Sequence, residues 1–153
     1  MRSRFVASRV LAIVAVAAAL AGCATGSPSP TSSGPAIEVT AAWARPAAAG
    51  ADSAAYLTIT NHGAADRLTA VRTPVAGSAM IHRTTTDSMG MTGMSMMDGV
   101  AVPAGGVVTL EPGGIHLMLT GLTSALESGT SIALELTFEH AGTIRVDAAV
   151  RPA

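Results

Sequence analysis

Residues 132–139, Ile-Ala-Leu-Glu-Leu-Thr-Phe-Glu, decide the fold. Ile132, Leu134, Leu136 and Phe138 alternate with Ala133, Glu135, Thr137 and Glu139, which places the apolar set on one face of a strand and the polar set on the other. His140-Ala141-Gly142 turns the chain, and it returns through Ile144, Val146 and Ala148. The same grammar holds upstream. Ala55–Thr60 alternates, with Leu57 and Ile59 on one face and Tyr56, Thr58 and Thr60 on the other, and Asn61-His62-Gly63 ends it. Met80-Ile81-His82 reads as the close of a strand. Val100–Val102 and Val107–Leu110 flank Pro103-Ala104-Gly105-Gly106, and Glu111-Pro112-Gly113-Gly114 leads into Ile115–Leu119.

These short apolar runs between Gly/Pro turns imply an all-β domain of about seven strands, a β-sandwich or small barrel. A single helical turn over Leu122–Leu126 is the one exception expected. No internal repeat is visible, and about 115 residues can close one such core without disulfides.

The N-terminus has a different character. Arg2, Arg4 and Arg9 precede an apolar run from Val10 to Leu20, about half of the ~20 residues needed to span a bilayer, so it reads as a secretory signal rather than a permanent membrane helix. Leu20-Ala21-Gly22-Cys23 closes the run and resembles the bacterial lipobox, in which the cysteine carries diacylglycerol and becomes the first mature residue. From Ala24 to Ala36 the chain is almost all Ser, Pro, Thr, Gly and Ala, a tether with a typical reach of roughly 20 Å. The expected division is therefore 1–22 signal peptide, 23–36 lipidated Cys23 and linker, and 37–153 folded domain. The expected location is extracytoplasmic, with the lipid on the outer face of the cell membrane.

Cys23 is the only cysteine, which excludes an intramolecular disulfide and leaves no thiolate in the folded part. Beyond it lie six arginines, ten acidic residues and no lysine. An acidic domain without a basic stripe or stacking aromatics lacks the footprint of a nucleic-acid binder. No Ser-His-Asp arrangement, phosphate-cradling glycine loop or paired-carboxylate site can be made out, so no enzymatic activity is expected.

The unusual chemistry lies in sulfur of another kind. Six of the eight methionines fall between Met80 and Met97, and residues 87–98 contain no aliphatic or aromatic side chain besides methionine. Interleaved with Gly, Ser and Thr, they read as a loop rather than a core stripe. Methionine sulfur is neutral and polarisable, which suits a soft cation such as Cu(I). Zinc more often takes Cys, His or carboxylates, and Mg or Ca takes oxygen. Strand parity then puts His116 and Met118 on the face opposite Ile115, Leu117 and Leu119, and Met80 with His82 on the face opposite Ile81. His62 and His140 sit in turns and read as solvent-exposed, as do the loop charges Asp87, Asp98 and Glu111. Trp43 with Arg45 reads as a packing element, with scope for a cation–π contact between them.

Here the chain resembles the periplasmic copper chaperone family PCuAC, whose signature is His, a variable residue often Met, ten residues, Met, twenty-one residues, then His-x-Met. His82 and Arg83 are followed by Thr84–Gly93, Met94, Ser95–Ile115 and His116-Leu117-Met118, without a gap. Trp43-Ala44-Arg45-Pro46, Ala55-Tyr56-Leu57, Thr60-Asn61, Val102-Pro103-Ala104-Gly105-Gly106 and Pro112-Gly113-Gly114 resemble the family's other landmarks. The resemblance implies a cupredoxin-like Greek-key β-sandwich binding copper, as Cu(I) and alternatively Cu(II), through His82, Met94, His116 and Met118. It also implies delivery of that copper to cytochrome c oxidase, with subunit II or a Sco-type assembly factor as acceptor. Arg83 stands where the family often has Met, and Met89, Met91, Met96 and Met97 exceed the pattern. Three alternatives stay open: copper storage or tolerance, an electron-transfer cupredoxin, and a structural lipoprotein whose methionines absorb oxidant.

Overall fold

The computed structural model describes residues 36–153; the expected signal peptide, Cys23 and the linker up to residue 35 lie outside the described residues. Ten strands run in chain order: β1 (Ile37–Ala44), β2 (Ser53–Asn61), β3 (Asp66–Arg72), β4 (Ala76–Thr86), β5 (Thr92–Met96), β6 (Val100–Val102), β7 (Val107–Leu110), β8 (Ile115–Leu122), β9 (Ser131–Phe138) and β10 (Gly142–Val150). They form one sheet in the order β5-β4-β8-β2-β1-β10-β9-β3-β6, with β7 paired to β2. Only β1/β2, β4/β5 and β9/β10 are neighbours in both sequence and sheet, so most of the pairing is long-range.

The alternation in β9 is met in full: Ile132, Leu134, Leu136 and Phe138 are buried. They join Leu68 of β3, Leu57 and Ile59 of β2 and Leu117 and Leu119 of β8 in a single apolar cluster. Because these strands lie far apart along the sheet, the sheet must fold over that cluster into a sandwich.

Three local expectations are corrected. No helix occurs among the described residues. Leu126 is instead held by a two-way backbone bridge, its N–H donating to Ala47 at 2.8 Å and its C=O accepting from Ala47 at 3.2 Å, which an α-helical turn would forbid. The methionine-rich segment is not wholly a loop, since β5 pairs with β4 over its length. The strand containing Met80 and His82 does not close there but runs on to Thr86.

One irregularity re-aims a side chain. The β1/β2 register gains one residue between Thr40 and Trp43, and Ala41 takes a positive φ of 51°. Such a bulge inverts the inward-outward parity of the residues beyond it. Ile37 and Val39 face the core before it, and Ala44 does so after it, leaving Trp43 beside Tyr56 on the opposite face.

Two buried polar side chains tie down the turns. Asn61, 1 % exposed, donates its amide to the carbonyls of Ala64 (2.7 Å), Pro103 (3.1 Å) and Val102 (3.2 Å) and accepts from Gly63 N–H (2.9 Å). The separate sequence landmarks Thr60-Asn61 and Val102–Gly106 are thus one hydrogen-bonded knot. Asp66 accepts from the backbone N–H groups of Arg67 (2.7 Å), His140 (3.0 Å) and Ala141 (2.9 Å), clamping the β9–β10 turn onto the start of β3.

Burial alone would raise the Asp66 pKa, but these N–H groups and the His140 ring outweigh it and hold the carboxyl below its ordinary value. A depressed folded pKa contributes stability that is present above the unfolded carboxylate range and is lost as pH falls through the folded value. Asp66→Asn is expected to lower stability by about 1–3 kcal/mol at neutral pH. The gap from wild type should narrow as the pH is taken toward the acid limb, as read by denaturant titrations at pH 7 and pH 3.

Candidate metal centre

β4 and β8 run antiparallel with His82 directly opposite His116 and Met80 directly opposite Met118. The interleaved pair Ile81 and Leu117 is buried at 4 % and 0 %. Burial of that inward row fixes the outward row: a slip of one residue in either strand would send that strand's histidine into the core. The two imidazole centroids stand 6.0 Å apart, edge to face.

Met94 arrives from β5. It pairs with Thr84, two residues beyond His82, while Met96 pairs with His82 itself. The β4–β5 turn is set by Asp87, whose carboxylate accepts from the N–H groups of Met89 and Met91, each at 2.9 Å. Met94, His116 and Met118 then line one surface recess of about 480 Å³, with Thr84, Tyr56, Pro112 and Gly113 among its other walls. His82 flanks this recess through its ring contact with His116. The structure therefore gathers the four residues expected from the sequence on one face.

Expected and observed environments differ for His116. Parity places it away from the core, yet it is only 5 % exposed. Aromatic packing is the reason. Trp43 and Tyr56 stack at 4.4 Å between centroids, and Tyr56 approaches His116 at 6.4 Å, so rings continue from Trp43 to His82 across three neighbouring strand pairs. The cation over Trp43 is Arg151, 4.3 Å from the ring centroid, and not Arg45 as the sequence suggested. β1 and β10 run parallel, with Trp43 level with Ala149, which brings the residues just after β10 to the indole.

The Glu111-Pro112-Gly113-Gly114 turn orients the imidazole. Gly113 has φ +80° and Gly114 N–H donates to Glu111 C=O at 3.1 Å, the requirements of a type II turn. Gly114 C=O accepts from Thr84 N–H at 3.0 Å and lies 3.3 Å from His116 Nδ1. On His82, Nδ1 is buried without a hydrogen-bond partner. A buried ring nitrogen left unpaired costs about 1–3 kcal/mol unless something engages it.

Among the described residues no group of three His, Cys, Asp or Glu could hold a metal ion. The donors on this face are two imidazoles and several thioethers. Such a set is neutral when the histidines are neutral, offers no oxygen to a hard cation, and favours a soft monovalent one.

Comparison with known proteins bears on the family and the fold. A family profile described as "Putative lipoprotein LpqE-like" matches residues 37–150. A curated relative from Leifsonia xyli subsp. xyli, described as "Putative lipoprotein Lxx21020", is 31% identical over 94% of this chain and 89% of its own. The chain belongs to the LpqE-like family. Two solved structures share the fold of this LpqE-like domain. The copper-bound PCuAC domain from PmoF2 superimposes with TM-score 0.64 at 25% identity, covering 77% of this chain and 94% of that one. The solution structure of CuI-DR1885 from Deinococcus radiodurans gives 0.58 at 38%, covering 76% and 80%. The PCuAC resemblance, the all-β class read from the sequence and the cupredoxin-like fold that the resemblance implies are thereby borne out.

The remaining histidines of the LpqE-like domain are otherwise engaged. His62 pairs with Glu38 at 3.0 Å and His140 with Asp66 at 3.3 Å, both with exposed rings, as their turn positions suggested. Sequence reasoning did not single out Tyr56 as packing on a site histidine, because that contact needs the β2/β8 pairing. It also left Met96 unassigned, although the structure sets it across from His82.

Gly113→Ala would meet no atom within 4 Å, so its cost is backbone conformation alone. It is expected to lower stability by about 1 kcal/mol. It should also shift the NMR signals of the His116 ring while leaving those of His62 and His140 in place.

Proposed function

We propose that this protein is an extracytoplasmic copper carrier, lipid-anchored through Cys23, that holds one Cu(I) with His82, Met94, His116 and Met118. The observation that carries the reading is the cross-strand apposition of His82 and His116, with Met94 and Met118 on the same face. Copper-bound relatives of the same fold support it, as does the lipoprotein description of the curated relative. The ion is cargo. Imidazole and thioether donors bind Cu(I) without thiolate, so a partner offering cysteine sulfur can draw it away. The acceptor in this reading is the copper centre of cytochrome c oxidase, reached through subunit II or a Sco-type assembly factor. An electron-transfer role is disfavoured because blue-copper sites require a cysteine ligand and the domain from residue 37 onward has none.

Under reducing conditions, competition with a chelator should give one tightly held Cu(I) per chain. His116→Ala combined with Met118→Ala should weaken it by more than about 100-fold, since even outer-sphere changes cost 10–100-fold. Unchanged affinity in that variant would sink the proposal.

Transfer is the second test. Copper-loaded protein mixed with a dithiol-bearing acceptor should give up its ion, and Met94→Leu should change the transfer rate more than it changes folding. Retention of the ion in the presence of every dithiol acceptor would favour storage over delivery.

A second reading, a lipoprotein whose methionines absorb oxidant, is favoured by one observation: Met89, Met91, Met94 and Met96 are 84%, 68%, 63% and 65% exposed. Cells lacking the protein, grown at limiting copper, separate the two. Oxidase activity falls if the protein carries copper and is unchanged if it serves only as an oxidant sink.

A further inference from the structure

Two methionines on the histidine face are not used by the four-residue site. Met80 is the direct cross-strand partner of Met118, and Met96 of His82. Since Met80 and His82 are two apart on β4, Met80 and Met96 are diagonal neighbours. Direct partners have Cβ atoms about 4.5–5.5 Å apart and diagonal ones about 7–8 Å, a gap that long side chains bridge. Methionine is unbranched with three rotatable bonds, so two such sulfurs can meet at one ion.

These two residues line a different recess from the other donors on that face. Met94, His116 and Met118 line the recess beside Tyr56 and Pro112, whereas Met80 and Met96 line a separate groove of about 940 Å³ running toward β3, together with Asp98. No packing role accounts for Met96: every residue of β5 is exposed, and Met96 itself is 65% exposed. An apolar side chain held in water on a paired strand, diagonal to a second thioether, is costly as packing and useful as a ligand.

We propose a second soft-cation position, held by Met80 and Met96 on the β3 side of His82, that accepts a monovalent d10 ion such as Cu(I). It rests on the copper reading proposed for the histidine face and extends it. Thioethers are neutral and take no hard cation, so the position selects the same cargo. Two neutral sulfurs leave the ion's charge uncompensated apart from Asp98 at the groove wall, so this position binds more weakly than the first. Copper therefore has a stage between the histidine pair and solvent from which a partner can take it.

The test is titration of the full chain, solubilised in detergent and carrying 13C-methyl-labelled methionine, with Ag(I) as a redox-inert stand-in for Cu(I). The first equivalent should shift the methyl signals of Met94 and Met118, and the second those of Met80 and Met96, with Met89 and Met91 unmoved. Met80→Leu/Met96→Leu, a near-isosteric change, should bind one equivalent with the first-site shifts intact. Saturation of the wild type at one equivalent overturns the proposal. So does a second equivalent that moves Met89 and Met91, or a double variant that keeps two equivalents or loses the first. Failure to bind even one equivalent defeats the copper reading itself, whereas one without a second defeats only this proposal.

Discussion

Everything at the site hangs on the register between β4 and β8. Leu117 and Leu119 are wholly buried, and with Ile81 they commit one row of each strand to the core. The opposite row is then obliged to be Met80, His82, His116 and Met118. No separate device is needed to bring the donors together, because the hydrophobic effect that closes the sandwich also aligns them. The face is rigid for the same reason. Its backbone is hydrogen-bonded on both sides along the middle of β4, to β8 and to β5.

The outward row is not simply a wet surface. Tyr56 and Trp43 roof it from β2 and β1, so His116 is buried while Met94 stands in solvent. A soft ion at such a place would have one flank shielded by rings and the other open to a partner. Neutral donors make this tolerable, since no charge has to be desolvated to build the empty site.

Much of this is legible in the sequence. The inward rows of β2, β8 and β9 come from alternation alone, because each strand buries one face and shows the other. His116 and Met118 come from the same parity. The features that escape such a reading depend on contacts distant in sequence or on unremarkable residues. β5 is written in Thr, Gly, Ser and Met, which have no common strand signal, and it exists because the turn braced by Asp87 returns it to β4. β3 escapes notice because Asp66-Arg67 opens it and its one bulge breaks the alternation. Trp43 faces the site only through the bulge at Ala41, an alanine that announces nothing. Arg151 reaches the indole only because β10 lies parallel to β1, so the nearer Arg45 is the natural but mistaken choice.

The place of β1 in the sheet bears on how the domain would carry load. β1 is interior, paired to β2 along one side and to β10 along the other, and Arg151 grips its Trp43 from above. A pull arriving through residue 36 acts along the axis of that strand. It meets the β1/β2 ladder, and the short pairing to β10 at Trp43 and Ala44, in shear rather than peeling an edge open one bond at a time. Strands β4, β5 and β8, which carry the candidate donors and lie beyond β2 in the sheet order, stay out of that line of force.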